Sequence, residues 1–133
     1  MKYDDFLKKD KKEKKRHPPR HFESNIQKQI IMWFRLCYPH YIIAAVPNGG
    51  YRNAIEAKHM KGEGVLAGFS DLIIIVSKNI LFVEIKTLKG VQSVRQKEFQ
   101  AKLSNLGFEY KICHSLNEFI FTIEDFIKRK CTV

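Results

Sequence analysis

Cysteine is scarce in this 133-residue chain: Cys37, Cys113 and Cys131 make an odd number, and no C-x-x-C pair occurs. That argues against a disulfide framework and against a cysteine zinc site, and leaves three incidental thiols in a reducing compartment. Long apolar runs are missing too. No stretch reaches the roughly 18 residues that cross a bilayer. The charged start, Met1-Lys-Tyr-Asp-Asp, lacks the apolar segment of a signal peptide. The expected location is therefore a cytoplasm, with no membrane partner. Neither a zinc finger nor a base-reading helix is written in the chain, and there is no internal repeat. Acidic residues are the last shortage: 14 Asp and Glu stand against 24 Lys and Arg, giving a net charge of +10 and a pI near 9.6. A surplus of that size on a small chain implies a polyanionic partner, nucleic acid ahead of membrane.

What is present suffices for one compact domain, since 44% of the residues are hydrophobic. The positive charge is unevenly spread. Residues 1–21 carry nine basic and four acidic residues, as large a surplus as the fifteen and ten of the remaining 112. The run Lys8 to Arg20, KKDKKEKKRHPPR, is poor in hydrophobic residues and contains Pro18-Pro19. Residues 1–21 therefore read as a basic, flexible N-terminal arm and 22–133 as a single domain. The arm is either a solubilising extension or a strand of phosphate contacts.

Within the domain, Ile26, Ile30, Trp33, Phe34 and Cys37 recur at three- and four-residue steps, which predicts a helix from Phe22 to Cys37 closed by Pro39. Tyr41 to Val46, between two prolines, predicts a buried strand, and Pro47-Asn-Gly-Gly50 a loop. Arg52 to Lys61 has helical composition and stops at Gly62 and Gly64. Leu72–Val76 and Ile80–Lys86 are apolar runs around a short polar turn, the pattern of a β-hairpin. Ser93-x-x-Gln96 is a capping box opening a helix with Phe99, Leu103 and Leu106 on its apolar face, ended by Gly107. Tyr110–Cys113 predicts a strand. Ser115-x-x-Glu118 opens a last helix with Phe119, Ile123, Phe126 and Ile127 buried. The order α-β-α-β-β-α-β-α makes an α/β domain with a mixed sheet and helices packed on it.

The hairpin carries the chemistry. Asp71 opens its first strand; Glu84 and Lys86, two apart, leave the second strand on one face. With the turn at Lys78-Asn79, Asp71 lies opposite Lys86 and diagonal to Glu84. A one-residue change in the turn alters that pairing but keeps both acids at one end of the hairpin. Two close carboxylates repel, and a divalent cation relieves the repulsion. Oxygen donors suit Mg²⁺ or Mn²⁺ better than zinc. Such a site could polarise a phosphodiester and lower the pKa of a water, with Lys86 orienting that water or neutralising the phosphoryl charge. The plain alternative is a solvated Glu–Lys pair beside an Asp at a strand start.

Asp71-x12-Glu84-x-Lys86 resembles the core of the PD-(D/E)XK nuclease superfamily, with Ser70 in the position of its proline. Around it, Glu23-x-x-Ile26-Gln27, Pro47-Asn48-Gly49-Gly50-x-Arg52, Lys61-x-x-Gly64-x-x-x-Gly68-x-x-Asp71-Leu72 and Gly90-x-x-Ser93-x-x-Gln96 follow in order. Together, across about residues 22–127, they look like the VRR-NUC branch, the virus-type replication and repair nucleases. The resemblance implies a restriction-endonuclease-like fold, a mixed four-stranded sheet flanked by helices, and Mg²⁺- or Mn²⁺-dependent phosphodiester hydrolysis. It implies metal ligation by Asp71, Glu84 and the backbone carbonyl of Ile85, with Glu23 completing or extending the site. Lys86 would serve the nucleophilic water, and Gln96 would support that lysine or the water. Stand-alone viral and bacterial members of the branch resemble structure-selective enzymes, some acting as dimers on four-way junctions.

The residues themselves leave alternatives beside these implied roles. Glu23 begins the buried side of its helix, but an acid there is also favoured by the helix dipole. Gln96 is also the partner of Ser93 in the capping box. Asn48, Gly49, Gly50 and Arg52 could cradle a phosphate or simply connect two elements. Lys61 and Lys89 are phosphate contacts or solvated surface lysines. Tyr51 could stack on an unpaired base. None of the five histidines is expected to bind metal. The leading expectation is a metal-dependent DNA endonuclease selective for branched or junction-containing DNA, acting as a homodimer because symmetric cutting of two strands needs two sites. The competing one is a non-catalytic, basic nucleic-acid-binding module of a replication or repair assembly.

Overall fold

The fold is that of a computed structural model, which describes residues 20–47 and 53–131. Helix α1 (Arg20–Cys37) leads through Pro39 into strand β1 (Ile42–Ala45). Helix α2 (Ala54–Gly62) follows, then the hairpin β2 (Leu72–Val76) and β3 (Asn79–Ile85). Helix α3 (Val94–Asn105), strand β4 (Glu109–Cys113) and helix α4 (Leu116–Cys131) complete the order. The four strands form one mixed sheet in the order β1-β2-β3-β4, antiparallel except for the parallel pair β3–β4. Helix α3 is the crossover that a parallel pair requires.

The sheet is covered on both faces, which explains why the hairpin strands read as unbroken apolar runs. On one face Leu72, Ile74, Val76, Leu81, Val83 and Ile85 pack against Ile30 and Phe34 of α1 and Phe119, Ile123 and Phe126 of α4. On the other, Phe82 and Tyr110, with Ile73, Ile80 and Ile112 beside them, pack against Phe99 and Leu103 of α3. The alternation along β3 therefore assigns its odd residues to the α1/α4 side and its even ones to the α3 side. Among the described residues, no helix is long and apolar enough to cross a membrane.

Several details depart from the sequence-based expectations. The hairpin turn is Ser77-Lys78, not Lys78-Asn79, because Val76 pairs with Asn79 and Ile75 with Ile80. Ser77 adopts φ 55°, the only positive value among described non-glycine residues. Continuing the Leu72–Val83 pairing by one step puts Asp71 across from Glu84, not from Lys86. Strand β1 is an edge strand, so only Ile43 is buried while Ile42 stays 56% exposed. Cys37 and Leu106 are exposed, since each lies at the last turn or cap of its helix, beyond the packed face. The box at α4 is half formed. Glu118 N–H donates to Ser115 Oγ (3.1 Å), but the Glu118 carboxylate accepts from His114 N–H (3.0 Å), one residue further out.

One glycine governs how α3 meets the hairpin. Gly68 has φ +83°, and a Cβ there would lie 2.4 Å from the Arg95 backbone carbonyl. Backbone therefore sits on backbone at the start of α3, a close approach that any side chain would prevent. Gly68→Ala should lower stability by about 2 kcal/mol or more, combining left-handed strain with overpacking. Gly62→Ala, at a position with open space and no positive φ, should be neutral or stabilise by up to about 1 kcal/mol. Urea unfolding of both variants checks this; equal effects would refute the close-approach reading.

Candidate functional site

The two acids of the hairpin sit together at the end of the sheet on its α3 side. Asp71 is fixed at both its backbone and its side chain. Val46 N–H donates to its carbonyl (2.8 Å), extending the β1–β2 ladder. Its Oδ2 accepts the Ile85 N–H (2.8 Å), so the carboxylate is held across the mouth of β3. The preceding Ser70 is fully buried and donates from Oγ to the Leu72 carbonyl (3.1 Å).

Glu84 follows Phe82 on the even face of β3 and is only 2% exposed. Its Oε1 accepts from Gln96 Nε2 at 2.9 Å, while Oε2 is buried with no hydrogen-bond partner. Burial, then the negative charge of Asp71 and the hydrogen bond that a protonated Glu84 offers the Asp71 side chain, push its carboxyl up to about 8, with Lys86 pulling part of the way back. It is the ionised Oε2 that lacks a donor. A buried acceptor without a donor costs free energy, and two neighbouring carboxylates add repulsion to that cost.

Gln96 makes the capping box expected of it, but its other hydrogen bond goes to Glu84 and not to Lys86. Its Oε1 accepts the Ser93 N–H (2.9 Å) and its N–H donates to Ser93 Oγ (3.2 Å), completing the capping box of α3. The same amide turns Nε2 toward Glu84. The cap consumes the amide oxygen, so the end facing Glu84 is obliged to be the donor.

Lys86 lies one step beyond β3, half-buried, and its N–H donates to the Cys113 carbonyl (3.1 Å). By the alternation of the strand its side chain leaves on the face of Glu84. Glu23 approaches from α1, on the opposite face of the sheet, and its Oε1 accepts the Thr87 N–H (3.4 Å). Among the described residues no three His, Cys, Asp or Glu side chains gather as a metal-holding group. Glu23 is thus engaged with the chain that follows β3 and does not join Asp71 and Glu84 in a three-carboxylate cluster. Lys89 is exposed on the turn closed by Gly90 N–H on the Thr87 carbonyl (2.9 Å), and Lys61 is exposed on α2. Asn48, Gly49, Gly50, Tyr51 and Arg52 lie outside the described residues, as does the arm up to residue 19.

Two neighbours were invisible in the sequence. Gln92 Nε2 donates to Gln100 Oε1 (3.0 Å) and to the Tyr110 hydroxyl (3.3 Å), tying the loop before α3 to β4. Burial pushes the Tyr110 hydroxyl up to about 12; the Gln92 bond opposes this, and the charges of Glu84 and Asp71 add to it. Only the Tyr110–Ile112 alternation hinted that this ring shares the face of the acids.

Asp71 and Glu84, with Lys86 and Gln96 around them, form an oxygen-donor pair facing a cation and an amide. The family model described as the VRR-NUC domain matches residues 9–117, from within the basic arm to the first residues of α4, a span that includes all of these side chains. No curated protein matches the chain. Among solved structures, a VRR-NUC domain protein is similar at 25% identity, with a TM-score of 0.65 over 80% of this chain and 88% of that one. That family match, spanning well over half the chain and supported by a solved relative of the same fold, means that the chain belongs to the VRR-NUC domain family, a family of nuclease-type domains.

Proposed function

We propose that this chain is a metal-dependent endonuclease that hydrolyses phosphodiester bonds in branched DNA. The observation that carries the reading is the Glu84 carboxylate, buried beside Asp71 with one oxygen held by Gln96 and the other without a donor once the group is ionised. A divalent cation answers both costs of that arrangement, because it gives Oε2 a partner and offsets the repulsion between the acids. Hard oxygen donors fit Mg²⁺ or Mn²⁺. The residues that would hold it are Asp71, Glu84 and the carbonyl of Ile85, whose N–H already binds Asp71. A cation bound there supplies charge to polarise the phosphodiester and to acidify a water.

The protein's own groups do the rest. Lys86 neutralises charge on the phosphoryl oxygens or holds the attacking water, its backbone fixed by Cys113. Gln96 fixes the rotamer of Glu84. Glu23, through Thr87, keeps the segment after β3 in place, so that the Ile85 carbonyl and Lys86 stay in register. Lys89 and Lys61, with the net charge of +10 behind them, draw in the phosphate backbone. Two such chains related by a two-fold axis would place two sites on one branched substrate.

Cleavage of labelled single strand, duplex, flap and four-way junction under Mg²⁺ or Mn²⁺ tests this directly. Asp71→Ala and Lys86→Ala should each lower kcat at least about a hundredfold while binding in EDTA persists. Glu23→Gln should cost less than either. Binding with no cutting by the unaltered chain under both metals would instead support a non-catalytic module.

The raised carboxyl of Glu84 also makes stability depend on pH. Its value is about 8 when folded against 4.5 ordinarily, so between those values the folded chain holds a proton that the unfolded chain has released. Without metal, stability should therefore be highest below pH 4.5 with respect to this group and fall as pH rises toward 8. Glu84→Gln should flatten that slope, and Mg²⁺ should raise the Tm more at pH 8 than at pH 5.5. Melting curves in EDTA and in Mg²⁺ read both effects; identical slopes for the two proteins would contradict the placement of Glu84.

A further inference from the structure

Helix α2 has no buried residue. A cavity of about 690 Å³ lies between it, the 64–67 segment and α3, within the range of clefts that take small ligands. Much of its lining is apolar, including Ala57, Val65, Leu66 and Phe99. Val65 and Leu66 are 40% and 50% exposed, so this apolar surface is open. Phe99 is held by Phe69 (centroids 4.4 Å apart) and Phe82 (6.0 Å) and forms a fixed wall. The polar part of the lining is cationic: Lys61, Arg95 and Lys102, all exposed, against the single carboxylate of Glu98.

The cavity adjoins the carboxylate site through one residue of chain. Arg95 lines the cavity, and the next residue, Gln96, holds Glu84. Gly68, packed on the Arg95 backbone, separates the cavity-lining 64–67 segment from Asp71. The cavity and the carboxylates thus share the first turn of α3 as a common border. Cations and apolar groups lining one recess match a nucleotide, with phosphate to the lysines and arginine and the flat base against the apolar groups. A base stacked within a duplex cannot enter such a recess; an unpaired one can.

We propose that this cavity seats an unpaired nucleobase of the bound strand, next to the phosphodiester that the carboxylates face. The identity of the ligand rests on the nucleic-acid reading above. The cavity supplies a physical basis for preferring DNA with an unpaired base beside the scissile bond over continuous duplex, in which every base is stacked and paired.

Strand binding measured in EDTA tests the cavity without any cleavage. Fluorescence anisotropy with the full chain compares a labelled ten-nucleotide single strand with an abasic strand of equal charge. The base-containing strand should bind about tenfold more tightly or better. Ala57→Trp and Leu66→Trp each fill the recess from an exposed position, and each should bring that ratio close to one, with melting curves confirming the fold. Equal affinity of the two strands for the unaltered chain would overturn the proposal, leaving only phosphate contacts. So would a ratio that survives both substitutions, since the bases would then sit elsewhere. If the substitutions change the oligomeric state and leave strand binding alone, the cavity is a contact between copies and the proposal falls. A chain that shows the ratio but never cuts under Mg²⁺ or Mn²⁺ would refute the nuclease reading and keep the base site.

Discussion

Two carboxylates kept side by side in a nearly dry corner of a sheet set the terms for everything around them. The repulsion between Asp71 and Glu84 grows as water is removed, and Glu84 is all but removed from it. A loosely built site would relieve the strain by rotating one side chain outward. Here neither can turn easily. Asp71 is held by the Ile85 N–H and its backbone by Val46, and Glu84 is held by Gln96. The central position of β2 and β3, with helices on both faces, supplies the rigid background against which such holding is effective.

The supporting parts come from distant places in the chain. Helices α1 and α4 build one face and α3 the other, and α1, α3 and β4 each reach the carboxylate end through a different device. From α1 it is Glu23 on the Thr87 amide, from α3 the Gln96 amide, and from β4 the Cys113 carbonyl on Lys86. Gly68 lets the hairpin's entry segment lie against the first turn of α3. The site is thus assembled at a junction of layers, where the hydrophobic clusters on the two faces are already fixed by packing.

Much of this could be read from the residues in order. Helices α1, α3 and α4 announced themselves by three- and four-residue steps and by caps, and β2 and β3 by β-branched runs too apolar for an exposed sheet. Asp71 and Glu84 stood out because an acid within such a run has no apolar justification. The register was not legible: Ser77, Lys78 and Asn79 are all polar and none is glycine, so two turns fit the letters equally. The side-chain partners were not legible either. That Glu23 meets Thr87, or Gln92 meets Tyr110, depends on how layers stack in space, and no spacing along one element encodes it. Gly68 was visible as a letter of a motif, while its reason, the Arg95 backbone, lay 27 residues away.

The double duty of Gln96 has a dynamic consequence. One of the two hydrogen bonds that cap α3 and the one that holds Glu84 share the side-chain amide of Gln96, so fraying of the helix's first turn also releases the carboxylate from that bond. The population of chains with an intact site can then be no larger than the population with that turn closed. Helix ends are the places where local opening is cheapest. The working fraction of molecules is thereby tied to the local opening equilibrium of one helical turn, a quantity that amide hydrogen exchange at the start of α3 reads directly, and one that can vary while the global stability of the domain stays the same.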